Sequence, residues 1–379
     1  MSNTIDIGQG KSARRGYRLR DVAIVPSRRT RSSADVSTTW QIDAFAFDLP
    51  MVAHPSDATM SPKTVAEVTR LGGLGVLDGE GLWTRYEDPE SLLTSVWPNG
   101  GSADDADPSE LTRRLQEMYA EPVKPDLLAE RVRELRTQGV TTAVRLSPQH
   151  TVELAPVVLD AGVDLLVIQG TIVSAEHVSV HGTALNLKEF IADLDVPVIV
   201  GGAVTYQTAL HLMRTGAAGV IVGMGADVYE RSDDVLGIDV PMATAISDSA
   251  AARRDYLDET GGRYVHVIAD GEISSSGDIA RAIACGADAV MLGRVLAAAG
   301  EAPASGAWWH TIAAHPKLPR GQVARPVKDS ETLATILTGP SHDPTGGANL
   351  FGALRRAMAK TGFSDLKEFQ KVGLTITTD

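Results

Sequence analysis

Val267-Ile268-Ala269-Asp270-Gly271, then Ser276-Gly277-Asp278-Ile279, then Gly286-Ala287-Asp288-Ala289-Val290-Met291-Leu292-Gly293-Arg294 is the stretch that decides the fold. A short apolar run ends on an acid and a glycine, a Ser-led helical segment follows, a glycine stops it, and a second apolar run ends on Gly-Arg. This is one strand, one crossover helix and one further strand, the unit from which parallel sheets are built.

Working outward, the same alternation predicts eight strands: Met51–Ala53, Leu74–Leu77, Ala143–Leu146, Leu165–Gln169, Val198–Gly201, Gly219–Val222, Val265–Ala269 and Ala289–Leu292. Eight parallel strands with intervening helices close naturally into an α/β (β/α)8 TIM barrel, here over about residues 50–296 and within one domain. Thr205 and Ser276 are the expected caps of two of its helices, which end at Gly216 and Gly286. An insertion after strand 2, about 79–129, is too long for a plain barrel connection and contains turn-rich Pro98-Asn99-Gly100-Gly101-Ser102, acidic Asp104-Asp105-Ala106-Asp107-Pro108 and a helix from Ser109 to Ala120. A C-terminal extension, about 297–379, carries Trp308, Trp309 and the run Leu350 to Lys371, read as helices outside the barrel or over its mouth.

The chain of 379 residues is 43% hydrophobic but only 5% aromatic, as suits a parallel sheet wrapped by helices. Its formal net charge of −13 argues against general affinity for nucleic acid or an anionic membrane. Basic residues do cluster in an N-terminal arm from Lys11 to Arg31, which contains the strand-like run Asp21 to Pro26. Pairing with acidic surface of its own or a neighbouring subunit is the first reading of that arm, and anion binding the second. The chain shows neither a membrane-length apolar run nor a signal-peptide core, and a cytoplasmic location is expected. The single cysteine, Cys285, sits in the last turn of a helix and reads as a core residue.

Barrel chemistry sits just after the strands. That rim reads His54-Pro55-Ser56-Asp57, Asp78-Gly79-Glu80, Ser147, Gln169-Gly170-Thr171, Gly202-Ala203, Gly223-Met224-Gly225, Asp270-Gly271-Glu272 and Gly293-Arg294. Glycine turns after strands 7 and 8 can lend N–H groups to a phosphate, and Asp270 can accept both hydroxyls of a ribose.

These elements, with Leu19-Arg20-Asp21-Val22-Ala23-Ile24-Val25-Pro26 and with Val222 to Ser247, resemble the IMP dehydrogenase / GMP reductase family, in a short bacterial form whose insertion is too short for paired CBS domains. The resemblance implies a purine nucleotide (IMP, XMP or GMP), NAD or NADP, an oxidoreductase step of GMP biosynthesis and a homo-tetramer, and allows a monovalent cation. By the same resemblance Asp270, Gly271 and Gly293 match the nucleotide-binding groups.

Other positions depart from the pattern. The nucleophilic cysteine falls on Glu230, the serine before it on Val228, a phosphate glycine on Glu272 and the phosphate serine on Arg294. The serine after strand 1 falls on His54 and the cofactor aspartate after strand 4 on Gln169, and the hydrolytic Arg-Tyr flap has no match. A carboxylate is a poor substitute for a thiolate in adding to C2 of the purine, being the weaker nucleophile toward this carbon. Lost or altered catalysis is therefore the expectation. Arg294 could hold phosphate bidentately and a protonated His54 could help, so that the pocket is rebuilt with charged side chains. The acids Asp227, Asp233, Asp234 and Asp239 read as a solvated loop or an oxygen-ligand cation site. A non-catalytic nucleotide-binding or subunit-partner protein is one alternative. An FMN or sugar-phosphate barrel, suggested by the Ala-Asp-Gly turn and Arg294, is the other.

Overall fold

In the computed structural model the described residues are 4–96, 107–178, 185–324 and 331–377. Eight parallel strands form one sheet: β1 (Met51–Ala53), β2 (Val76–Asp78), β3 (Ala143–Leu146), β4 (Leu165–Gln169), β5 (Val198–Ala203), β6 (Gly219–Ala226), β7 (His266–Gly271) and β8 (Ala289–Leu292). β8 returns to β1 in the register Val290 to Met51 and Leu292 to Ala53. A bridge between Val52 and Leu74 closes the circle, with the Ala53 N–H donating to the Leu74 carbonyl at 2.8 Å. The structure is thus the expected TIM barrel. Strand runs such as Leu165-Leu166-Val167-Ile168 and Val198-Ile199-Val200 are buried throughout, because barrel interior and surrounding helices cover opposite faces.

Strand 2 begins at Val76 rather than Leu74, and strand 7 at His266 rather than Val265. β5 and β6 continue beyond the predicted Gly201 and Val222, to Ala203 and Ala226. Thr205 caps its helix through the N–H of Thr208. Ser275, not Ser276, caps the helix Ser276–Ala284: its hydroxyl takes the Asp278 N–H, and the Asp278 carboxylate answers the Ser275 N–H at 3.0 Å. The reciprocal box needs the acid three residues after the cap, a spacing that only Ser275 has.

The insertion is more ordered than expected where it is described. It contains helices Glu90–Val96 and Pro108–Met118, the latter one residue earlier at its start and two at its end than the sequence suggested. Pro98 to Ser102 and Asp104 to Ala106 lie outside the described residues. In the N-terminal arm, Val22–Ile24 pairs antiparallel with Leu374–Ile376, and Arg14 forks onto Asp248 at 2.6 and 2.9 Å. Helix Leu350–Lys360 packs outside on Ser276–Ala284. Among the described residues, no helix is long and apolar enough to cross a membrane.

Candidate functional site at the barrel mouth

The segment Trp308 to Ala324 lies across the C-terminal ends of the strands. Trp308 and Ala324 exchange backbone hydrogen bonds at 2.7 and 2.9 Å, which folds the segment back on itself. The Trp309 carbonyl accepts the Ser56 hydroxyl at 2.6 Å, and the Trp309 indole N–H donates to Tyr119. Gly293 is glycine because Trp308 is there: a Cβ at 293 would stand 2.3 Å from the indole Cη2. At Gly225, with φ of 77°, a Cβ would stand 2.6 Å from His310 Nε2. The mouth is covered by the chain's own aromatic and imidazole rings.

His54 and His310 meet beneath that cover, Nε2 to Nε2 at 3.1 Å, and both are buried. His310 Nδ1 accepts the Ile312 N–H at 3.3 Å, so its proton resides on Nε2 and is donated to His54. The His54 proton is thereby assigned to Nδ1, a buried donor with no acceptor. Burial, then His310, then Arg145 push His54 well below the ordinary imidazole range, and burial holds His310 at about 3. The sequence offered His54 a phosphate role only on condition of protonation; burial opposes that charge, and its Nε2 faces His310.

Asp270 ends β7 with its side chain in the same chamber. The Gln169 amide donates to Asp270 Oδ2 at 3.1 Å and to Met291 Sδ at 3.4 Å. Gln169 is therefore committed to the Asp270 carboxyl. Burial, then the fields of Glu230 and Asp227, push Asp270 up to about 7, opposed by Gln169. Gly271 has φ of 137°, and a Cβ there would meet the Ala226 nitrogen at 2.9 Å.

The loop after β6 carries Glu230. Asp227 Oδ1 accepts the N–H groups of Tyr229 (2.6 Å) and Glu230 (2.8 Å), a turn made by a side chain standing in for backbone. The Arg231 N–H donates to the Arg320 carbonyl and the Gln322 N–H to the Tyr229 carbonyl, both at 2.8 Å, so the covering segment straps this loop as well. Glu230 is only 3% exposed, and its Oε1 accepts the Ser232 N–H at 3.0 Å. Burial raises its carboxyl to about 7, with Asp233 and Asp227 adding and the Ser232 contacts opposing.

Arg294, the residue the sequence offered for a phosphate, borders the mouth beside an acid. Its Nε lies 3.3 Å from Asp227 Oδ2 and its guanidinium 5.7 Å from the centre of the Tyr229 ring. Glu272, in the left-handed region at φ of 56°, has its carboxylate tied by the N–H groups of Leu19 (2.8 Å) and Met242 (3.3 Å). Under Trp308 a cavity of about 30 Å³ remains, bounded by His54, Asp270, Gly293 and His310. It adjoins an open groove of about 370 Å³ bounded by Arg18, Arg20, Asp227, Glu230, Glu272 and Arg294. Among the described residues no three or more His, Cys, Asp or Glu are grouped to hold a metal ion.

The sequence reading missed His310, Tyr119 and Arg145, and named Trp308 only as part of an extension outside the barrel or over its mouth. Arg145, part-buried near the end of β3, pairs with Asp78 at 3.2 Å and donates to the Gln169 carbonyl at 2.8 Å. Tyr119 donates to Asp57, whose other oxygen is buried without a partner. Nearby, Ser147 and Glu80 both meet His150, but through the same nitrogen, Nδ1, at 3.3 and 2.6 Å. A relay needs the hydroxyl and the carboxylate on opposite nitrogens, so these three residues do not form a hydrolytic triad.

Comparison with known proteins decides the lineage. The model of the IMP dehydrogenase / GMP reductase domain matches residues 16–323. The chain belongs to the IMP dehydrogenase / GMP reductase family. It is 59% identical to an uncharacterized oxidoreductase of Mycobacterium tuberculosis over 98% of this chain and 99% of that protein. It is 26% identical to the inosine-5'-monophosphate dehydrogenase of Cryptosporidium parvum over 77% of this chain and 70% of that enzyme. The crystal structure of an IMP dehydrogenase/GMP reductase-like protein from Corynebacterium glutamicum superposes with a TM-score of 0.93 at 54% identity, covering 99% of this chain and 98% of that one. Within this oxidoreductase family, the chain buries Glu230 in the loop after β6 and covers its barrel mouth with its own rings.

Proposed function

We propose that this chain is a purine-binding member of the family that does not perform the thiolate-dependent oxidoreduction of IMP. Glu230 carries the reading. A nucleophile must be free and ionised at neutral pH, whereas this group is buried, hydrogen-bonded to Ser232 and raised to about 7. Cys285 does not replace it: it lies at the end of an outer helix, is buried, and burial pushes its thiol up to about 11. The residues present also do not fit a nicotinamide, because Gln169 is committed to Asp270 and the Thr171 hydroxyl to Arg320 at 2.9 Å. No hydride step is assigned to this site.

Purine binding is supported by family membership and by Asp270, which offers a ribose a carboxyl oxygen not engaged by Gln169. Entry of a ring requires Trp308 and His310 to move, since about 30 Å³ holds little more than a water. The flavin or sugar-phosphate alternative is not favoured, because Arg294, which suggested it, is paired with Asp227. A homo-tetramer is carried over from the family resemblance.

Purified protein with IMP and NAD, or with GMP and NADPH, is expected to show no change in absorbance at 340 nm above the enzyme-free rate. Glu230→Cys is expected to gain nothing, because Gln169 and the covering segment remain. Turnover by the unsubstituted protein would sink the proposal.

A further inference from the structure

We infer that the N-terminal hairpin of one chain docks on the loop after β6 of a second copy and walls that copy's site from outside. This rests on the homo-oligomer carried over above and names the two surfaces that meet.

Thr4–Gly8 and Lys11–Arg14 form an antiparallel hairpin in which every residue is exposed. A two-stranded hairpin standing alone in water is marginally stable at best, and nothing in its own chain covers this one. Its two faces differ. Arg14, opposite Thr4, forks onto Asp248 of the chain's own helix Met242–Thr260, and at the hairpin's root a Cβ on Gly16 would stand 3.0 Å from the Pro241 ring. Side chains alternate along a strand, so Ile5 and Ala13 opposite it belong to the other face, turned away from that helix. Ile5 is 52% exposed and Ile7 66%, and Lys11 on the partner strand is exposed as well.

The loop after β6 is the complementary surface. Val228, Val235, Leu236 and Ile238 are all exposed, and large apolar side chains grouped in one short stretch mark a place of contact. Exposed Asp233 and Asp234 stand among them; Asp234 pairs with Arg231, and Asp233 has no ion pair among the described residues. Apolar face thus matches apolar loop, and basic hairpin matches acidic loop. A contact between different patches of identical chains is heterologous, and it repeats from copy to copy until the ring closes. An anionic membrane is a poor occupant of either surface, because the loop is acidic and the chain carries a net charge of −13.

The consequence reaches the site. Val228, Asp233 and Asp239 bound the open groove beside Glu230, so a neighbour's hairpin on this loop would close the groove's outer side and hold the loop that carries Glu230.

The test is disulfide trapping in the full chain, whose one cysteine, Cys285, is buried. Ile7→Cys/Leu236→Cys, with its fold checked by circular dichroism, is oxidised with diamide in dilute solution and run on a gel without reductant. A ladder at multiples of 40.1 kDa is expected, lost on reduction, with mass spectrometry joining position 7 to position 236. Each single variant should give several-fold less cross-linked protein. Adding Lys11→Glu should weaken the ladder several-fold, and Asp233→Lys in that background should restore it. A cross-link confined within one chain, or position 7 joined only to position 7, would overturn the inference. No ladder from a protein that sediments as an oligomer would overturn it too and leave the homo-oligomer standing; sedimentation of the unsubstituted protein as a monomer would overturn both. Failure of Asp233→Lys to restore the ladder would overturn charge pairing as the means by which the hairpin selects this loop.

Discussion

Asp270 and Asp288 lie at the two ends of the same crossover, one closing β7 at the barrel mouth and the other preceding β8 at the opposite end, and both are almost wholly buried. Their surroundings differ. Asp288 accepts from Arg253 (2.5 Å), Lys367 (2.5 Å), the Tyr264 hydroxyl (2.7 Å), the Val267 N–H (2.9 Å) and Gln370 (3.0 Å). Burial alone would raise it, but Arg253, Lys367 and His266 outweigh burial and hold it well below the usual carboxylate range. Asp270 has one amide partner and two acidic neighbours, and is pushed up to about 7. The first arrangement is a finished staple tying the C-terminal extension to the barrel; the second is left open on the side where barrels keep their chemistry. Burial by itself does not decide a carboxylate's fate. The partners do.

The strongest way to break that comparison is Asp288→Ala. It leaves Arg253 and Lys367 without their counter-charge, and losing one partner of a buried pair costs about 3–5 kcal/mol. The urea midpoint should fall accordingly with the slope unchanged. A loss below about 1 kcal/mol would mean that Asp288 is not the staple described.

Next in size is Gly293→Ala at the mouth. The new methyl would sit 2.3 Å from the Trp308 ring, and overpacking of this kind costs about 1–3 kcal/mol. Because the ring rather than the strand should yield, tryptophan emission is expected to shift to the red, a change that Trp308→Phe in the same background should abolish. An unshifted spectrum would place the strain in β8 and remove the argument that Trp308 is a movable cover.

The barrel was legible because strands buried on both faces leave continuous apolar runs such as Leu165 to Ile168, which no other element of that length explains. Strand ends at the rim were less so. Gly223 and Gly225 read as turn residues, yet with φ of 112° and 77° they bend β6 without ending it, and Ala226 still pairs with Gly271. Asp270 and Glu230 were visible because they stand in a linear motif. His310 was not, since nothing local marks an imidazole that acts through a neighbour 256 residues away. The paired Trp308-Trp309 among small residues was the one available hint of a buried cover. The neighbourhood of Arg294 was hidden for a similar reason: only folding brings Asp227 to within 3.3 Å of it.

The smallest effect tests the open end of the comparison through pH. The Asp270 carboxyl titrates near 7 in the folded chain and near its ordinary 3.8 when unfolded. Below about pH 4 it is protonated in both states and costs nothing. From there to about 7 the unfolded chain gives up a proton that the folded chain retains, so stability falls as pH rises, and the whole cost is present above 7. Asp270→Asn removes the ionisation, so its stability relative to the unsubstituted protein should improve between pH 5 and pH 8. The gain should reach about 1–2 kcal/mol rather than the full shift, because a buried amide still needs its own partners. Glu230→Gln should act in the same direction. Since the Glu230 charge is one of the causes that raise Asp270, the double variant should gain less than the sum of the two. If Asp270→Asn lost stability equally at both pH values, Asp270 would be a staple like Asp288, and the contrast between the two ends of the barrel would dissolve.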